Sequence, residues 1–198
     1  MTTLYLIRHG EVVNAWEKRY NGQIDVPLTQ YGIEQIKDIS RRLDGVDIKV
    51  IYATGLIRTV RGAEIIAERL KRIPVIIKEE LKERKLGKWE GLTLNEIIEQ
   101  YPEGWSAWKA DMMNYRPPGG ESLRELSDRV VPAVRELITL HKGEEIVIVG
   151  HGGVNRVIIC EALNLSPENF YRIEQKYGAL NIIEYFDDGK TVVKLMNG

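Results

Sequence analysis

The chain alternates between short runs of consecutive apolar residues and longer segments in which apolar residues recur at helical spacing. Four runs are rich in β-branched residues and have the length of strands: residues 4–7, 50–53, 75–77 and 146–149. Continuous apolar runs of this kind are typical of strands buried on both faces of a parallel sheet. The pattern therefore predicts four strands of one buried sheet.

Helical segments are predicted between these strands. Thr29 is a favourable N-cap residue, and the sequences that begin at Thr93 and Ser122 each form a capping box with a glutamate three residues later. Apolar residues then recur every three or four positions. The predicted helices cover residues 29–43 and 56–70, the two segments that begin at the capping boxes, and residues 154–163.

The last stretch of the chain is predicted to be a β-hairpin with Asp188-Gly189 as its turn. Strands that alternate with helices predict an α/β fold. We expect a three-layer α/β/α arrangement with a mostly parallel central sheet and an antiparallel edge strand.

Residues 87–120 interrupt this alternation and hold three of the four tryptophans, Trp89, Trp105 and Trp108. We interpret this segment as a small helical insertion, or lid, within a single domain that spans residues 1–198. Trp105 and Trp108 lie three positions apart, on one face of a helix. They either pack that helix onto the sheet, which is the favoured interpretation, or line a pocket and stack on an aromatic leaving group.

The composition excludes several classes of protein. The 198 residues are 43% hydrophobic and 29% charged with a net charge of -1, which fits one globular domain and disfavours a nucleic-acid-binding surface. The single cysteine, Cys160, cannot form an internal disulfide and is expected to be buried. Neither a signal-peptide pattern nor a membrane-spanning run is present in the sequence, so a cytoplasmic location is expected.

Two of the three histidines occupy equivalent positions. His9 follows the strand of residues 4–7, and His151 follows the strand of residues 146–149. Ligands of open α/β sheets bind at the carboxyl ends of strands, so both imidazoles would reach one crevice if the strands are neighbours. The alternative is that both are polar residues satisfied by backbone at strand ends. The third histidine, His141, lies near a helix end and is interpreted as structural.

Charged residues are predicted to join the two histidines. Arg8 precedes His9, Arg58 begins the helix after the second strand, and Glu83 follows the third strand. Arginine is suited to bidentate binding of phosphate, imidazole is a nucleophile towards phosphorus, and a carboxylic acid can protonate a leaving alcohol. The set predicts a site for phosphoryl transfer.

The first of these motifs, Leu6-Ile7-Arg8-His9-Gly10-Glu11, resembles the Arg-His-Gly signature of the histidine phosphatase superfamily, also called the phosphoglycerate mutase-like family. Arg-His-Gly alone recurs by chance, but further blocks of the family follow in order along nearly the whole chain. They are Asp25-Val26-Pro27-Leu28-Thr29, Thr54-Gly55-Leu56-Ile57-Arg58, Leu81-Lys82-Glu83 with Gly87-Lys88-Trp89-Glu90-Gly91, Gly119-Gly120-Glu121-Ser122 and Val149-Gly150-His151-Gly152-Gly153.

The resemblance implies a role for each matching residue. His9 would be the nucleophile that becomes phosphorylated, and Arg8, Arg58 and His151 would form the phosphate pocket. Glu83 would be the general acid for the leaving group and then the base for water.

Two further groups, the Asn14 side chain and the backbone N–H of Gly152, are implied to bind phosphate oxygens. One departure from the family is Gly62, which replaces the usual threonine four residues after the second arginine. Glycine inside a helix costs about 0.5–1 kcal/mol relative to alanine. Thr54 and Gly55 also replace the commoner serines.

The resemblance to the phosphatase branch is stronger than that to the mutases, which usually carry a longer insertion after the acidic block. Gly32-Ile33-Glu34-Gln35, Leu43-Asp44-Gly45-Val46 and Ser106-Ala107-Trp108 are similar to α-ribazole phosphatases. Relatives acting on phosphoserine, phosphoglycerates or sugar phosphates share such stretches. Phosphoglycerate mutase and phosphoserine phosphatase activity therefore remain alternatives, as does a catalytically inactive regulatory member of the family.

The expected partner is a small phosphorylated metabolite, with no nucleic acid, no membrane and a monomeric or homodimeric state. No cofactor is indicated, because the glycine-rich turns match neither dinucleotide nor Walker fingerprints. A metal site built from His9, His151 and Glu83 is disfavoured because two arginines would repel the cation. The basic pairs Arg41-Arg42 and Lys71-Arg72 are interpreted as solvated helix faces.

Overall fold

A six-stranded sheet forms the centre of the computed structural model, which describes residues 1–71 and 73–198. Its strands lie in the order β3-β2-β4-β1-β5-β6. They are β1 (Thr2–Arg8), β2 (Ile48–Ala53), β3 (Val75–Ile77), β4 (Glu145–Gly150), β5 (Leu180–Tyr185) and β6 (Thr191–Leu195).

The sheet is mostly parallel, as predicted. The strands β3, β2, β4 and β1 run parallel, and the predicted terminal hairpin supplies the antiparallel edge: β5 pairs with β1, and β6 lies outside it. One expectation is wrong. The strand β3 is not buried on both faces, because it is an edge strand in which Ile76 and Ile77 are 46% and 44% exposed.

Helices cover both faces of the sheet. Thr29 caps the first helix by accepting a hydrogen bond from Gly32 N, and the predicted capping boxes at Thr93 and Ser122 are both present. The α-helices are α1 (Gln30–Arg42), α2 (Ile57–Arg69), α3 (Leu94–Gln100), α4 (Pro102–Ala110), α5 (Leu123–Leu140) and α6 (Gly152–Ala162).

Alternating side chains divide the core into two layers, because successive residues of a strand point to opposite faces. In β1, Leu4 and Leu6 pack with α5 and α6, whereas Ile7 packs with α1 and α2. The β4 residues divide in the same way, with Ile148 on the first face and Val149 on the second. The result is the predicted three-layer α/β/α fold.

Close packing of α2 on the sheet explains Gly62. A β-carbon at this position would lie 3.1 Å from Val149 Cγ1 and 3.8 Å from Ile36 Cγ1. The first distance is shorter than an ordinary van der Waals contact, so a larger residue would require the Val149 side chain to move. The departure from the family's threonine therefore concerns helix packing.

Residues 87–120 contain α3 and α4, in agreement with the predicted helical character. The Trp105 and Trp108 rings stack on each other with centroids 4.6 Å apart, and Trp108 meets the Tyr171 ring edge-on at 5.7 Å. Among the described residues, neither tryptophan joins the two hydrophobic cores. The expectation that they pack this helix onto the sheet is wrong.

Several predictions about single residues are confirmed. His141 has structural partners, since its Nδ1 pairs with Glu144 Oε2 at 2.6 Å and its Nε2 with the Tyr52 hydroxyl at 2.7 Å. Cys160 is buried, and Arg41, Arg42 and Lys71 are exposed. Arg72 lies outside the described residues.

Within residues 1–71 and 73–198, none of the helices has both the length and the apolar character needed to cross a membrane.

Candidate active site

A cavity of about 460 Å³ at the carboxyl ends of β1, β2 and β4 is lined by five of the predicted residues, Arg8, His9, Arg58, Glu83 and Gly152. His151 and Asn14 are not among the lining residues. Arg8 is the last residue of β1, and its register partner Gly150 is the last residue of β4. The next residue of each chain segment is therefore a histidine at the same edge of the sheet. The His9 and His151 ring centroids lie 5.4 Å apart with their planes inclined at 66°.

His9 is buried and has a defined orientation. Its Nδ1 donates to the carbonyl oxygen of Gly10 at 2.8 Å, which leaves the Nε2 lone pair free in the neutral ring. Burial, with the positive charges of Arg8 and Arg58, holds the pKa of His9 well below its ordinary value of 6.5. His9 is therefore a neutral imidazole with an available nucleophilic nitrogen.

Gly10 is needed beside His9 because the backbone of α1 lies against it. A β-carbon at Gly10 would overlap the carbonyl oxygen of Gly32 in α1. The glycine thus serves close approach of two backbone segments, and it keeps His9 at the cavity floor.

His151 lies behind His9 and is fully buried. Burial and the charge of Arg58 hold the pKa of His151 well below 6.5 as well. Its Nε2 lies 2.7 Å from Thr54 Oγ1. Among the described residues, its Nδ1 has no hydrogen-bond partner.

Two threonine hydroxyls assign the protonation of His151. Thr59 Oγ1 donates to the carbonyl of Leu56 at 2.9 Å, so it accepts the hydrogen bond from Thr54 Oγ1, 3.0 Å away. Thr54 Oγ1 has then used its only proton and must accept one from His151 Nε2. In the neutral ring the unpartnered Nδ1 is the unprotonated nitrogen, and it is able to take up a proton and donate it to an anion.

Arg58 positions the wall of the cavity. This side chain is 2% exposed, and its Nη1 and Nη2 donate to the carbonyls of Ile24 and Gly22, both at 2.7 Å. The guanidinium therefore joins the first turn of α2 to the loop after β1. Burial lowers the pKa of Arg58, while Glu83 and Asp25 raise it.

Arg8 is held by residues that the sequence did not single out. Its Nη1 donates to the carbonyl of Gln175, and its guanidinium carbon lies 3.9 Å from the centre of the Tyr177 ring. Its Nε is buried and, among the described residues, without a partner. Tyr177 also contacts His9, with ring centroids 5.6 Å apart. The cation–π contact orients Arg8 and leaves Nε available for a ligand.

Glu83 lies beside the first turn of α6. Its Oε2 accepts a hydrogen bond from Gly153 N at 3.0 Å, and its Oε1 accepts one from Arg84 N at 2.8 Å. The carboxylate thus lies beside the N-terminus of α6, where Gly152 also lines the cavity. Positive helix ends and backbone N–H groups favour anions at such a place.

Asn14 forms a reciprocal amide pair with Asn21. Asn14 Nδ2 donates to Asn21 Oδ1 at 2.7 Å, and Asn21 Nδ2 donates to Asn14 Oδ1 at 3.0 Å. Asn21 lines the cavity. The predicted contact of Asn14 with phosphate would require this pair to open, whereas Asn21 is already at the cavity surface.

Sequence reasoning did not identify several cavity residues. Their positions fall outside the family blocks, and none belongs to a sequence motif that is typical of a ligand-binding site. They are Lys18, Tyr20, Asn21, Arg156, Tyr171 and Tyr177.

The arrangement combines a neutral imidazole, the half-buried guanidinium of Arg8, the buried guanidinium of Arg58 and a carboxylate around one space. Such a site can bind a phosphate dianion, present a nitrogen to phosphorus and supply or remove a proton. Within residues 1–71 and 73–198, no group of three or more His, Cys, Asp or Glu side chains is arranged to hold a metal ion.

Comparison with known proteins identifies relatives along the whole chain. Residues 4–198 match the model of the histidine phosphatase superfamily (branch 1). Phosphoglycerate mutase-like protein 4 of Arabidopsis thaliana is 32% identical over 97% of this chain and 83% of its own length. The metal-independent phosphoserine phosphatase of the same plant is 36% identical over 80% of this chain and 67% of its own length.

A solved structure has the same fold. The α-ribazole phosphatase of Shigella flexneri superposes with a TM-score of 0.91 at 28% identity, over 99% of this chain and 96% of the other.

Proposed function

The chain belongs to the histidine phosphatase superfamily (branch 1), and on that basis we propose that it is a phosphomonoesterase that works through a phosphohistidine at His9. The observation that carries this proposal is the orientation of His9. Its Nδ1 is occupied by Gly10 O, so Nε2 is the nitrogen available to attack phosphorus. Arg8 and Arg58 line the same cavity and supply the positive charge that a phosphate dianion requires.

The first step transfers the phosphoryl group to the protein. The Nε2 lone pair of His9 forms a bond to phosphorus while the bond from phosphorus to the ester oxygen breaks. Glu83, in its acid form, protonates the leaving oxygen, so that the product is a neutral alcohol. Arg8 and Arg58 stabilise the charge on the remaining phosphoryl oxygens, joined by His151, whose Nδ1 takes up a proton from solvent when the phosphate dianion binds.

The second step returns the protein to its starting state. Glu83, now a carboxylate, takes a proton from a water molecule whose oxygen attacks phosphorus. The bond from phosphorus to Nε2 breaks, and its electron pair returns to His9. Inorganic phosphate leaves, and Glu83 has regained its proton.

The chemistry is proposed to be independent of metal ions. The guanidiniums of Arg8 and Arg58 can polarise the phosphoryl group without a metal ion. Their charge also disfavours a cation at this place. A relative whose name describes it as metal-independent supports the same reading.

The whole of residues 1–198 is proposed to act as one catalytic domain, with residues 87–120 as a flank of the cavity. Leu86, the residue before this segment, lines the cavity, and Trp108 of the segment contacts Tyr171, which also lines it. The cytoplasmic location and the monomeric or homodimeric state stay predictions.

The substrate is a small phosphorylated metabolite, and the relatives offer three kinds. Their names indicate α-ribazole phosphate, phosphoserine and phosphoglycerate, the last through a mutase-like protein. α-Ribazole 5′-phosphate is a candidate, and mutase activity and an inactive regulatory role are the alternatives.

Trapping the intermediate tests the function. We expect p-nitrophenyl phosphate to leave an acid-labile, base-stable phosphate on His9 after a quench in alkali, detected by peptide mass spectrometry. The variant His9→Ala should lose both the label and turnover, while His141→Gln, at a structural histidine, should keep both.

Four other results would overturn the proposal. His9→Ala with full activity excludes the phosphohistidine. Activity that EDTA abolishes and a divalent metal restores indicates a metallohydrolase. Failure to hydrolyse any phosphomonoester supports an inactive member, and net conversion of 3-phosphoglycerate with 2,3-bisphosphoglycerate present identifies a mutase.

A further inference from the structure

The cavity is far more basic than the chain as a whole. The chain has a net charge of -1, but the cavity is lined by six basic residues and one acidic residue. The acidic residue is Glu83, and the basic residues are Arg8, Lys18, Arg19, Arg58, Arg84 and Arg156.

Two of these cations are assigned to the transferred phosphate, and a third is already neutralised. Arg8 and Arg58 lie beside His9 and match the two charges of a phosphate dianion. Arg19 forms ion pairs with Glu17 and with Glu96, the latter at 2.9 Å. The charges of the remaining three are not explained by binding one phosphate.

Arg84 has a structural role. This residue is 6% exposed, and its Nε and Nη2 donate to the carbonyls of Glu121 at 3.0 Å and Tyr115 at 3.3 Å. These bonds join the acidic block to residues 111–121, so Arg84 is less free to bind a ligand.

Arg156 is placed next to the phosphate site by helical geometry. It lies three and four positions after Gly153 and Gly152, and therefore on the same face of α6, one turn above the helix N-terminus. Its Nε donates to the carbonyl of Ile173 at 2.7 Å, a contact that orients the guanidinium but neutralises no charge. The guanidinium carbon lies 5.3 Å from the centre of the Phe170 ring.

Arg156 and Arg8 line the same cavity, and their positive charges repel each other. Burial is the largest cause of the lowered pKa of Arg8, and the charge of Arg156 lowers it further. Two guanidiniums that repel each other at one cavity are stabilised when anionic groups lie between or beside them.

Lys18 lines the cavity from the loop after β1. It follows a short helical turn, Ala15–Glu17, and has a left-handed backbone conformation with φ 54°. Within the part of the chain that the structure describes, neither Lys18 nor Arg156 forms an ion pair with a carboxylate.

We propose that Arg156 and Lys18 form a second anion subsite, so that the preferred substrate is a phosphate monoester whose organic part carries a carboxylate or a second phosphate. This inference rests on the proposed phosphatase function. It disfavours α-ribazole 5′-phosphate, whose base carries no negative charge. A cavity of about 460 Å³ has room for a small metabolite of this kind beyond the transferred phosphate.

Matched substrates test the subsite. 3-Phosphoglycerate and glycerol 3-phosphate differ by a carboxylate, and fructose 1,6-bisphosphate and fructose 6-phosphate differ by a phosphate. We expect kcat/KM at least about tenfold higher for the more anionic member of one pair, and the better pair identifies the second group. α-Ribazole 5′-phosphate should be hydrolysed no better than glycerol 3-phosphate.

Variants assign the preference to its residues. Arg156→Gln and Lys18→Gln should each lower kcat/KM for the preferred anionic substrate by about tenfold and change that for glycerol 3-phosphate less than threefold. Arg156→Lys, which keeps the charge, should retain part of the preference. Arg61→Gln, at an exposed arginine of α2, is the matched control and should change neither.

The two proposals fail in different ways. Equal kcat/KM within both pairs, or α-ribazole 5′-phosphate as the best substrate, overturns the subsite and leaves the phosphatase intact. If no compound is hydrolysed, calorimetric binding of 3-phosphoglycerate and glycerol 3-phosphate to the His9→Ala variant still tests the subsite. Equal affinities there overturn it.

Discussion

The His9 and His151 imidazoles meet edge to face, with ring centroids 5.4 Å apart and planes inclined at 66°, and only His9 of the two lines the cavity. Both rings are buried beside Arg58, and both are neutral for that reason. A neutral His9 is what the proposed chemistry needs, since a protonated His9 would have no lone pair with which to attack phosphorus.

This burial makes the folding stability depend on pH. The pKa of each histidine is near 6.5 in the unfolded chain and well below that in the folded protein, so the unfolded chain binds more protons below pH 6.5. The free energy of unfolding should therefore fall as the pH drops from about 7 to about 5, by at most about 1.4 kcal/mol per pH unit for each histidine.

Urea denaturation across this pH range measures the effect. His9→Asn can keep the hydrogen bond to Gly10 O but does not titrate, so its stability should depend on pH with a shallower slope than that of the unsubstituted protein. An unchanged slope would show that His9 is not held neutral by the fold.

Thr54→Val should disturb His151 without changing the size of the side chain. The variant removes the acceptor of the His151 Nε2 proton, which is fully buried, and we expect a loss of about 1–3 kcal/mol in the free energy of unfolding. It should also lower kcat/KM about tenfold and shift its pH profile, because His151 would no longer be held in one tautomer.

The conservative variant Thr54→Ser restores the hydroxyl and should recover the pH profile. A Thr54→Val enzyme with normal activity and an unshifted profile would show that Thr54 does not position His151.

Arg58→Lys should lower activity strongly, although the substitution keeps the positive charge. A lysine cannot donate to Gly22 O and Ile24 O with the planar geometry of the guanidinium, so the loop loses an anchor and the phosphate loses a bidentate donor. We expect kcat/KM to fall about 100-fold and proteolysis of residues 20–25 to accelerate. Arg61→Lys on the same helix is the control, and equal effects of the two substitutions would contradict this role.

Glu83→Gln should separate substrates by the quality of their leaving groups. Glutamine cannot protonate the leaving oxygen, so kcat for a poor alkoxide leaving group such as that of glycerol 3-phosphate should fall about 10²–10⁴-fold. A p-nitrophenolate leaves without a proton, and its formation should fall much less in a single-turnover burst. Equal losses for both substrates would argue against Glu83 as the general acid.

Much of the architecture was predictable because its signals are local. The apolar runs of residues 4–7 and 146–149 indicate burial directly, and the capping boxes at Thr93 and Ser122 are complete within four residues. The predicted burial of residues 75–77 on both faces is wrong, because apolar composition does not reveal that a strand lies at the edge of its sheet.

The sequence by itself determined the α/β fold, and it singled out five residues that line the cavity, Arg8, His9, Arg58, Glu83 and Gly152, because strand ends and family blocks are properties of short segments. Only the tertiary structure decided that Thr54 bonds His151, that Asn21 occupies the cavity surface beside Asn14, and that Arg156 and Lys18 join one basic cavity. These relationships depend on the docking of α6 and of the loop after β1 onto the sheet. Such contacts between distant segments are set by packing, and a charge without a partner is visible only when all of its neighbours are in place.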